Sequence, residues 1–162
     1  MSETLIKVHV DLPNHPLTGG EAMWAAHVET DAYELRNVPF YAYDLNYLDV
    51  VEAVAASPSL KPSIRRVVRR SGHRTLRVFY FEAAEGWRRV PLLESLKDLG
   101  ACFEGATKSL FAIDVEPGGD YEAICDRLEA WRTEGLLEYE TCEARFEGTF
   151  DDLPPEGEAG AA

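Results

Sequence analysis

The chain has 162 residues, 46% of them hydrophobic, and its 16 basic and 29 acidic side chains give a formal net charge of −13. This apolar content is enough to bury a core, which excludes global disorder. The acidity disfavours nonspecific binding to nucleic acid or to an anionic membrane, because most of the surface repels phosphate. We expect no membrane span, because no run of about 18 apolar residues occurs.

The first half of the chain predicts short strands separated by turns. Apolar residues alternate along the opening strand, and Pro39 should end the third strand or place it at a sheet edge. The predicted strands cover residues 6–10, 21–28, 33–40 and 47–55. With one further strand after them, residues 1–74 predict a small, strongly curved, SH3-like β-barrel.

Charge is segregated along the chain, beginning at this last strand. Residues 61–89 hold nine basic and two acidic residues, a formal charge of +7, whereas the other 133 residues hold seven basic and 27 acidic residues, a charge of −20. We call residues 61–89 the basic segment. It predicts a surface on which an anion or an acidic partner docks.

Two β-rich runs, residues 64–70 and 75–81, lie within the basic segment and are typical of a hairpin that turns at residues 71–73. A helix is the competing prediction for residues 64–70. In a regular strand the side chains would alternate between the two faces. The two sets would be Arg66, Val68 and Arg70 on one face and Arg65, Val67 and Arg69 on the other.

The second half predicts the order β-α-β-β-α-β over residues 75–148, which is the pattern of a ferredoxin-like sandwich. Pro91 and Gly100 bracket the first helix, predicted over residues 91–99. Asp120 is the predicted N-cap of the second helix. The predicted class is therefore α+β, followed by a disordered acidic tail over residues 149–162.

Short motifs in this order resemble the bacterial family called domain of unknown function 4265, over about residues 7–143. The motifs are Glu21-Ala22-Met23-Trp24, Tyr33-x-Leu35-x-Asn37-x-Pro39-Phe40, Asp49-Val50-Val51-x-Ala53, Ser71-Gly72-His73-x-Thr75-x-Arg77, and Leu99-Gly100 with Glu104-Gly105. The resemblance implies a bacterial protein of this size and no activity, cofactor or catalytic residue. The arginines at 65, 66, 69 and 70 go beyond it, so a ligand inferred from them would be particular to this chain.

The arginines of the basic segment are the first candidate site. The planar guanidinium suits phosphate or carboxylate, because it donates two parallel hydrogen bonds. The plainer interpretation is that these arginines pair with the chain's own carboxylates, at little gain in stability. The candidate residues are Arg65, Arg66, Arg69, Arg70 and Arg77.

Four further residues are candidates on weaker patterns. His73 can carry protons near neutral pH, although a local role in the turn is the plainer interpretation. Asn37 and Asp49 can line a polar pocket beside Phe40. The plainer interpretation is that Asn37 stabilises a turn, Phe40 fills the barrel and Asp49 caps a strand entry.

The sequence predicts no metal and no cofactor. His9, Asp11 and His15 have metal-ligand side chains, but Pro13 and Pro16 interrupt the strand geometry around them. No glycine-rich nucleotide loop, P-loop or GxSxG motif occurs.

The sequence also indicates a cytoplasmic protein. Three widely spaced cysteines without a CxxC pair suit a reducing compartment. The first five residues lack a basic leader and an apolar stretch, so we expect no secretory signal.

These observations predict a non-catalytic binding protein of the bacterial cytoplasm, with a protein partner or a small anion as its ligand and no membrane. An immunity-type protein that neutralises a basic toxin is one concrete form. One alternative is binding of an anion or of single-stranded nucleic acid through Arg65 to Arg77, with Phe79 and Tyr80 stacking on bases. The other alternative is an enzyme with a site around His73 and Asp49. The sequence does not fix an oligomeric state.

Overall fold

The computed structural model describes residues 4–151 of the chain. These residues form nine strands, two α-helices and one 3₁₀-helix, arranged as two sheets. The predicted mixed α+β class is confirmed.

The first sheet takes its five strands in chain order. The strands are β1 (Leu5–Asp11), β2 (Gly20–Glu29), β3 (Ala32–Leu35), β4 (Val50–Val54) and β5 (Ser63–Arg69). Neighbouring strands are antiparallel, and one parallel pair, His9 with Ser63, joins β1 to β5 so that the strand pairing forms a closed ring. Alternation explains the interior, because every second residue of a strand faces the core. The core includes Val8, Val10, Met23, Leu35, Val51 and Ile64.

Strand β5 does not alternate as predicted. Its register against β4 shifts twice, between the pairs Ile64–Ala53 and Arg66–Glu52 and between Val67–Val51 and Arg69–Val50. Each shift inserts one extra residue, so Arg65 and Val68 have no partner on β4. As a result Ile64 and Val67 both pack against the core.

The second sheet begins after residues 70–73, which connect β5 to β6. Its elements are β6 (Arg74–Tyr80), α1 (Gly86–Glu94), the 3₁₀-helix Lys97–Leu99, β7 (Ala101–Gly105), β8 (Leu110–Val115), α2 (Tyr121–Thr133) and β9 (Leu137–Thr141). The strand order is β7-β8-β6-β9 and every pair is antiparallel. Leu76, Val78, Ile113, Ile124 and Leu128 belong to the core between this sheet and its helices. Thr75, Arg77 and Glu140 lie on the opposite face, where they contact residues of the connection between β3 and β4.

Two predictions about local structure are wrong. Strands β5 and β6 do not form a hairpin, because they belong to different sheets. Helix α1 begins at Gly86 rather than at Pro91, which lies inside it. Tertiary hydrogen bonds explain the earlier start. The Arg89 guanidinium donates to the carbonyl oxygens of Ala84 and Lys108 at 2.8 Å each and so fixes the first turn.

The predicted N-cap of α2 is confirmed, whereas α1 ends at Glu94 instead of the predicted residue 99 and a separate 3₁₀-helix precedes Gly100. Asp120 caps α2 by accepting a hydrogen bond from the Ala123 amide at 3.0 Å. Gly100 follows the 3₁₀-helix with a φ of +92°, the left-handed conformation that glycine adopts at helix ends.

Residues 149–151 differ from the predicted disordered tail. The Phe150 side chain packs against the core of the first sheet, and Asp151 accepts a hydrogen bond from the Asn14 amide at 2.6 Å. The rest of the predicted tail, residues 152–162, lies outside the described residues. Within residues 4–151, neither helix has the length and apolar character that a membrane span requires.

Candidate binding site at the junction of the two sheets

A long connection between β3 and β4, residues 36–49, lies between the two sheets. We call it the junction segment. Glu21 of β2 holds it from the side of the first sheet. Its carboxylate accepts hydrogen bonds from the amides of Phe40, Tyr41 and Ala42 at 2.6, 3.0 and 3.0 Å. Three successive amides that point at one anion fix the local backbone strongly, because the hydrogen bonds are charge-assisted.

Arg77 of β6 holds the same stretch from the side of the second sheet. Its guanidinium donates to the carbonyl oxygens of Ala42, Pro39 and Tyr41 at 2.8, 3.2 and 3.4 Å. It also donates to Glu140 at 2.9 Å, although Arg77 is only 3% exposed. A cation this deeply buried is tolerated because every side of it meets an acceptor.

Glu140 carries the charge that balances Arg77. Its carboxylate also accepts a hydrogen bond from the Tyr43 hydroxyl at 2.6 Å and contacts Arg145 at 3.4 Å. Burial acts to raise the pKa of Glu140, but Arg77 and the Tyr43 hydroxyl outweigh burial and hold the pKa below its ordinary value. Burial and the hydrogen bond to Glu140 raise the pKa of Tyr43, which therefore stays a neutral donor.

Three further motif residues form hydrogen bonds in the junction segment or to it. The Asn37 side chain accepts a hydrogen bond from the Trp24 amide at 2.7 Å. Glu104 of β7 accepts one from the Val38 amide at 3.2 Å. Thr75 of β6 donates to the Asn46 side chain at 2.9 Å.

Asp49 is fully buried and organises the end of the segment. Its carboxylate accepts hydrogen bonds from the amides of Ser71 and Asn46 at 2.8 and 3.0 Å. The Ser71 hydroxyl in turn donates to the Tyr47 carbonyl at 2.7 Å. Asp49 therefore fixes the passage from the first sheet to the second, in place of the predicted polar pocket beside Phe40.

A groove of about 470 Å³ opens beside the junction segment. Phe79 of β6 and Leu110 of β8 form its apolar floor, because the junction segment covers only part of this sheet face. Three aromatic side chains of the segment, Phe40, Tyr41 and Tyr43, form one wall of the groove, which we call the aromatic wall. Residues 15–17 form part of the rim of the groove. A smaller cavity of about 140 Å³ shares Phe79, Leu110 and Glu140 with it and extends to β9. We call the two together the junction groove.

A histidine–carboxylate pair lies at another part of the junction. The Nδ1 atom of His73 lies 2.9 and 3.0 Å from the two carboxylate oxygens of Asp114, which is 7% exposed. Burial raises the pKa of Asp114, and His73 opposes that shift. The Tyr47 ring meets the His73 ring edge-on, with centroids 5.4 Å apart. Tyr47 and Asp114 line a cleft of about 230 Å³ together with Cys102.

The arginines of the basic segment do not form one cationic surface, so that prediction is wrong. Arg66 pairs with Glu52 at 3.3 Å, and Arg70 pairs with Asp44 at 2.9 Å. Arg77 is buried at the junction. Among the candidate arginines, only the side chains of Arg65 and Arg69 form no salt bridge or hydrogen bond within residues 4–151. These two exposed residues of β5 remain a predicted anion site.

Metal-ligating side chains do not gather in the described part of the chain. The Nε2 atom of His9 lies 2.9 Å from a carboxylate oxygen of Asp11, as their shared strand face predicts. Within residues 4–151, however, no three histidine, cysteine or acidic side chains lie close enough together to hold a metal ion.

Sequence reasoning missed Glu21, Glu140 and Asp114 as parts of the site. Glu21 stands in a quoted motif, yet its partners lie 19 to 21 residues further along the chain. Asp114 and Glu140 are single carboxylates on predicted strands, and no local pattern separates them from the other acidic residues. Strand alternation offers the available signal, since it places Arg77 and Phe79 on one face of β6.

The family "Domain of unknown function (DUF4265)" matches residues 21–139. This chain belongs to that family. The match runs from Glu21 at the junction to the middle of β9, so it includes the whole junction segment. The predicted family membership is confirmed.

The fold also occurs in a solved structure. The crystal structure of a hypothetical protein from Neisseria gonorrhoeae aligns with a TM-score of 0.71 at 13% sequence identity, over 91% of this chain and 100% of that one. At this identity the likeness concerns the fold alone. No curated protein matches the chain significantly.

Proposed function

We propose that this protein is a non-catalytic binding protein that holds a partner in the junction groove. The single observation that carries the proposal is the way in which the aromatic wall is fixed. Glu21 binds its amides and Arg77 binds its carbonyl oxygens, so Phe40 and Tyr41 stand on a rigid backbone before any ligand arrives. A preorganised apolar surface binds more tightly, because less conformational freedom is lost on association.

The exposure of the groove floor supports the same function. Phe79 is 49% exposed, and Leu17 at the rim is 79% exposed. An open aromatic surface with a few fixed polar groups is typical of binding sites. Catalysis has less support in the groove, because Glu140, the carboxylate beside the aromatic wall, is occupied by Arg77 and Tyr43.

We place the protein in the bacterial cytoplasm, where an immunity-type protein that neutralises a basic toxin is one concrete form. The charge distribution supports a basic partner. The formal net charge is −13, and internal pairs at Arg66, Arg70 and Arg77 reduce the positive field of the basic segment. Complementary charge steers association and rejects partners of the wrong sign.

We also infer the finer fold assignment that suits this function. The order β6-α1-β7-β8-α2-β9 and the strand order β7-β8-β6-β9 support a ferredoxin-like sandwich after an SH3-like barrel, with a boundary near residue 74. In this arrangement the open face of the sandwich is the ligand surface and the barrel supplies one of its walls.

Affinity capture with matched variants tests the proposal. We expect the wild-type protein, immobilised and exposed to lysate of its native cell, to retain a protein that Phe79→Asp loses. Trp87→Asp is the control, because Trp87 is an exposed aromatic residue, 72% accessible, outside the groove lining. Thermal unfolding verifies that both variants fold. Equal retention by wild type and Phe79→Asp would show that the groove is not the binding site.

A second candidate function is general acid–base catalysis, which the His73–Asp114 pair favours. A carboxylate at Nδ1 orients the ring and leaves Nε2 for a substrate proton. The test is a panel of ester, amide and phosphoester substrates from pH 5 to 9. Turnover that His73→Gln removes would support catalysis, and equal rates for both proteins would exclude it for that panel.

A further inference from the structure

Strand β9 is an edge of the second sheet. Within the described residues it pairs with β6 on one side and with no strand on the other. An unpaired strand edge presents amides and carbonyl oxygens that a strand of another chain can bind.

The hydrogen-bond pattern shows which backbone groups point outward. The Cys142 amide donates to the Thr75 carbonyl, and the Phe81 amide donates to the Leu136 carbonyl. In an antiparallel pair such inward-pointing residues alternate with outward-pointing ones. The main-chain groups of Leu137, Tyr139 and Thr141 therefore point away from β6. Two of these groups have partners within residues 4–151. The Thr141 carbonyl accepts a hydrogen bond from the Arg145 guanidinium at 2.8 Å, and the Tyr139 amide donates to the Glu138 carboxylate at 3.3 Å, a long hydrogen bond that an added strand could replace.

The side chains of β9 connect this edge to the junction groove. Glu138 and Glu140 line the groove, whereas Leu137 and Tyr139 pack on the other face with the helices. A strand added beside β9 would place every second side chain next to Glu138 and Glu140. A long apolar side chain there lies beside the cavity whose floor is Phe79.

Charge selects the kind of segment that fits. Glu138 is exposed, and within residues 4–151 its carboxylate forms no salt bridge and accepts one hydrogen bond, from the Tyr139 amide at 3.3 Å, so it can also bind a cation. An acidic segment would be repelled by Glu138 and by the net charge of −13 of the molecule. In a segment with lysine or arginine beside an apolar residue, the cation can pair with the Glu138 carboxylate while the apolar side chain packs on the groove floor.

We propose that an extended segment of a basic partner protein adds to β9 as a fifth strand of the second sheet and places an apolar side chain in the junction groove. This inference rests on the proposed function and specifies how the partner binds.

The test uses synthetic ten-residue peptides as probes. The first alternates lysine with valine and carries one central phenylalanine. The second replaces each lysine with glutamate. Two further peptides have the sequence of the first and carry N-methyl groups on alternate residues, one along each edge of the extended chain. Binding is measured by fluorescence anisotropy, and hydrogen exchange of the complex reports on the amides of β9.

We expect the basic peptide to bind more than about tenfold tighter than the acidic one. N-methylation of the edge that faces β9 should abolish binding, because the methyl group removes donors and blocks strand pairing. Exchange should slow at the outward amides of Leu137, Tyr139 and Thr141. Glu138→Lys should weaken binding about fivefold, whereas Glu29→Lys, the same charge change on β2, should have little effect.

Other results would reject strand addition at β9 without rejecting ligand binding in the junction groove. Binding that Phe79→Asp abolishes but N-methylation and Glu138→Lys leave unchanged would show a groove ligand without strand addition. Absence of binding by the basic peptide, or binding without protection of the three outward amides, would also reject strand addition. The affinity capture with Phe79→Asp then decides the proposed function separately.

Discussion

Arg77 joins the two sheets through a single side chain. It donates to three main-chain carbonyls of the junction segment and to Glu140 while almost fully buried. Lysine cannot replace it, because an ammonium group has three donors around one point and no planar fork. The residue that sequence reasoning placed on a solvent-exposed ligand surface is therefore a buried connector.

Substitution of Arg77 should destabilise the protein much more than substitution of a surface arginine. We expect Arg77→Met to lower the free energy of unfolding by about 3–5 kcal/mol, because Glu140 and three carbonyls lose their partner. Arg66→Met, which breaks the exposed pair with Glu52, should cost less than about 1 kcal/mol. Urea unfolding measures both. Similar losses for the two variants would contradict the central role of Arg77.

Glu140 predicts a pH dependence with a defined sign. Its pKa lies below the ordinary value of 4.5, so in the folded state it holds fewer protons than in the unfolded state. Its contribution to stability is therefore present above pH 4.5 and is lost as the pH falls through the lowered pKa. Glu140→Gln should be less stable than wild type at pH 7, and the difference should shrink below pH 4.5. A constant difference, measured by urea unfolding from pH 3 to 7, would refute this assignment.

At the scale of elements, the junction segment behaves as a part held from both sides rather than as a free loop. Its 14 residues, 36–49, form no strand or helix of their own. Over residues 39–42, Glu21 and Arg77 supply hydrogen bonds that regular structure would otherwise provide.

Removal of Glu21 should loosen this segment selectively. In Glu21→Ala we expect faster hydrogen exchange at the amides of Phe40, Tyr41 and Ala42, equivalent to about 1–3 kcal/mol of local stability, because they lose a charged acceptor. Glu29→Ala, on the same strand, is the control and should leave these amides unchanged. Protection that survives in Glu21→Ala would show that packing alone holds the segment.

Sequence reasoning succeeds where a local pattern decides the structure. Apolar alternation predicts β1, a β-rich run predicts β6, and Asp120 marks the start of α2. It fails where distant contacts decide. The two shifts in β5, the earlier start of α1 and the pairing of Arg70 with Asp44 depend on partners that no spacing reveals. The junction groove is assembled from residues 15 to 140, so composition and periodicity cannot locate it.

At the scale of the whole molecule, two sheets with separate cores meet through a polar junction. Each core buries its own apolar residues, and the open face of the second sheet is left to the junction segment and the groove. Part of the positive charge that the sequence gathers in the basic segment is taken up by internal pairs of Arg66, Arg70 and Arg77. What remains for a partner is an aromatic groove in a molecule of net charge −13.

Site-specific photo-crosslinking tests the central claim, that the junction groove is the binding site. A photoreactive phenylalanine analogue is placed at Phe79, at Tyr41 or, as the control, at Trp87, and the native cell is irradiated. We expect one and the same protein to be crosslinked from Phe79 and Tyr41 and not from Trp87. Crosslinks to that protein from Trp87 alone, or none from either groove position, would contradict the account.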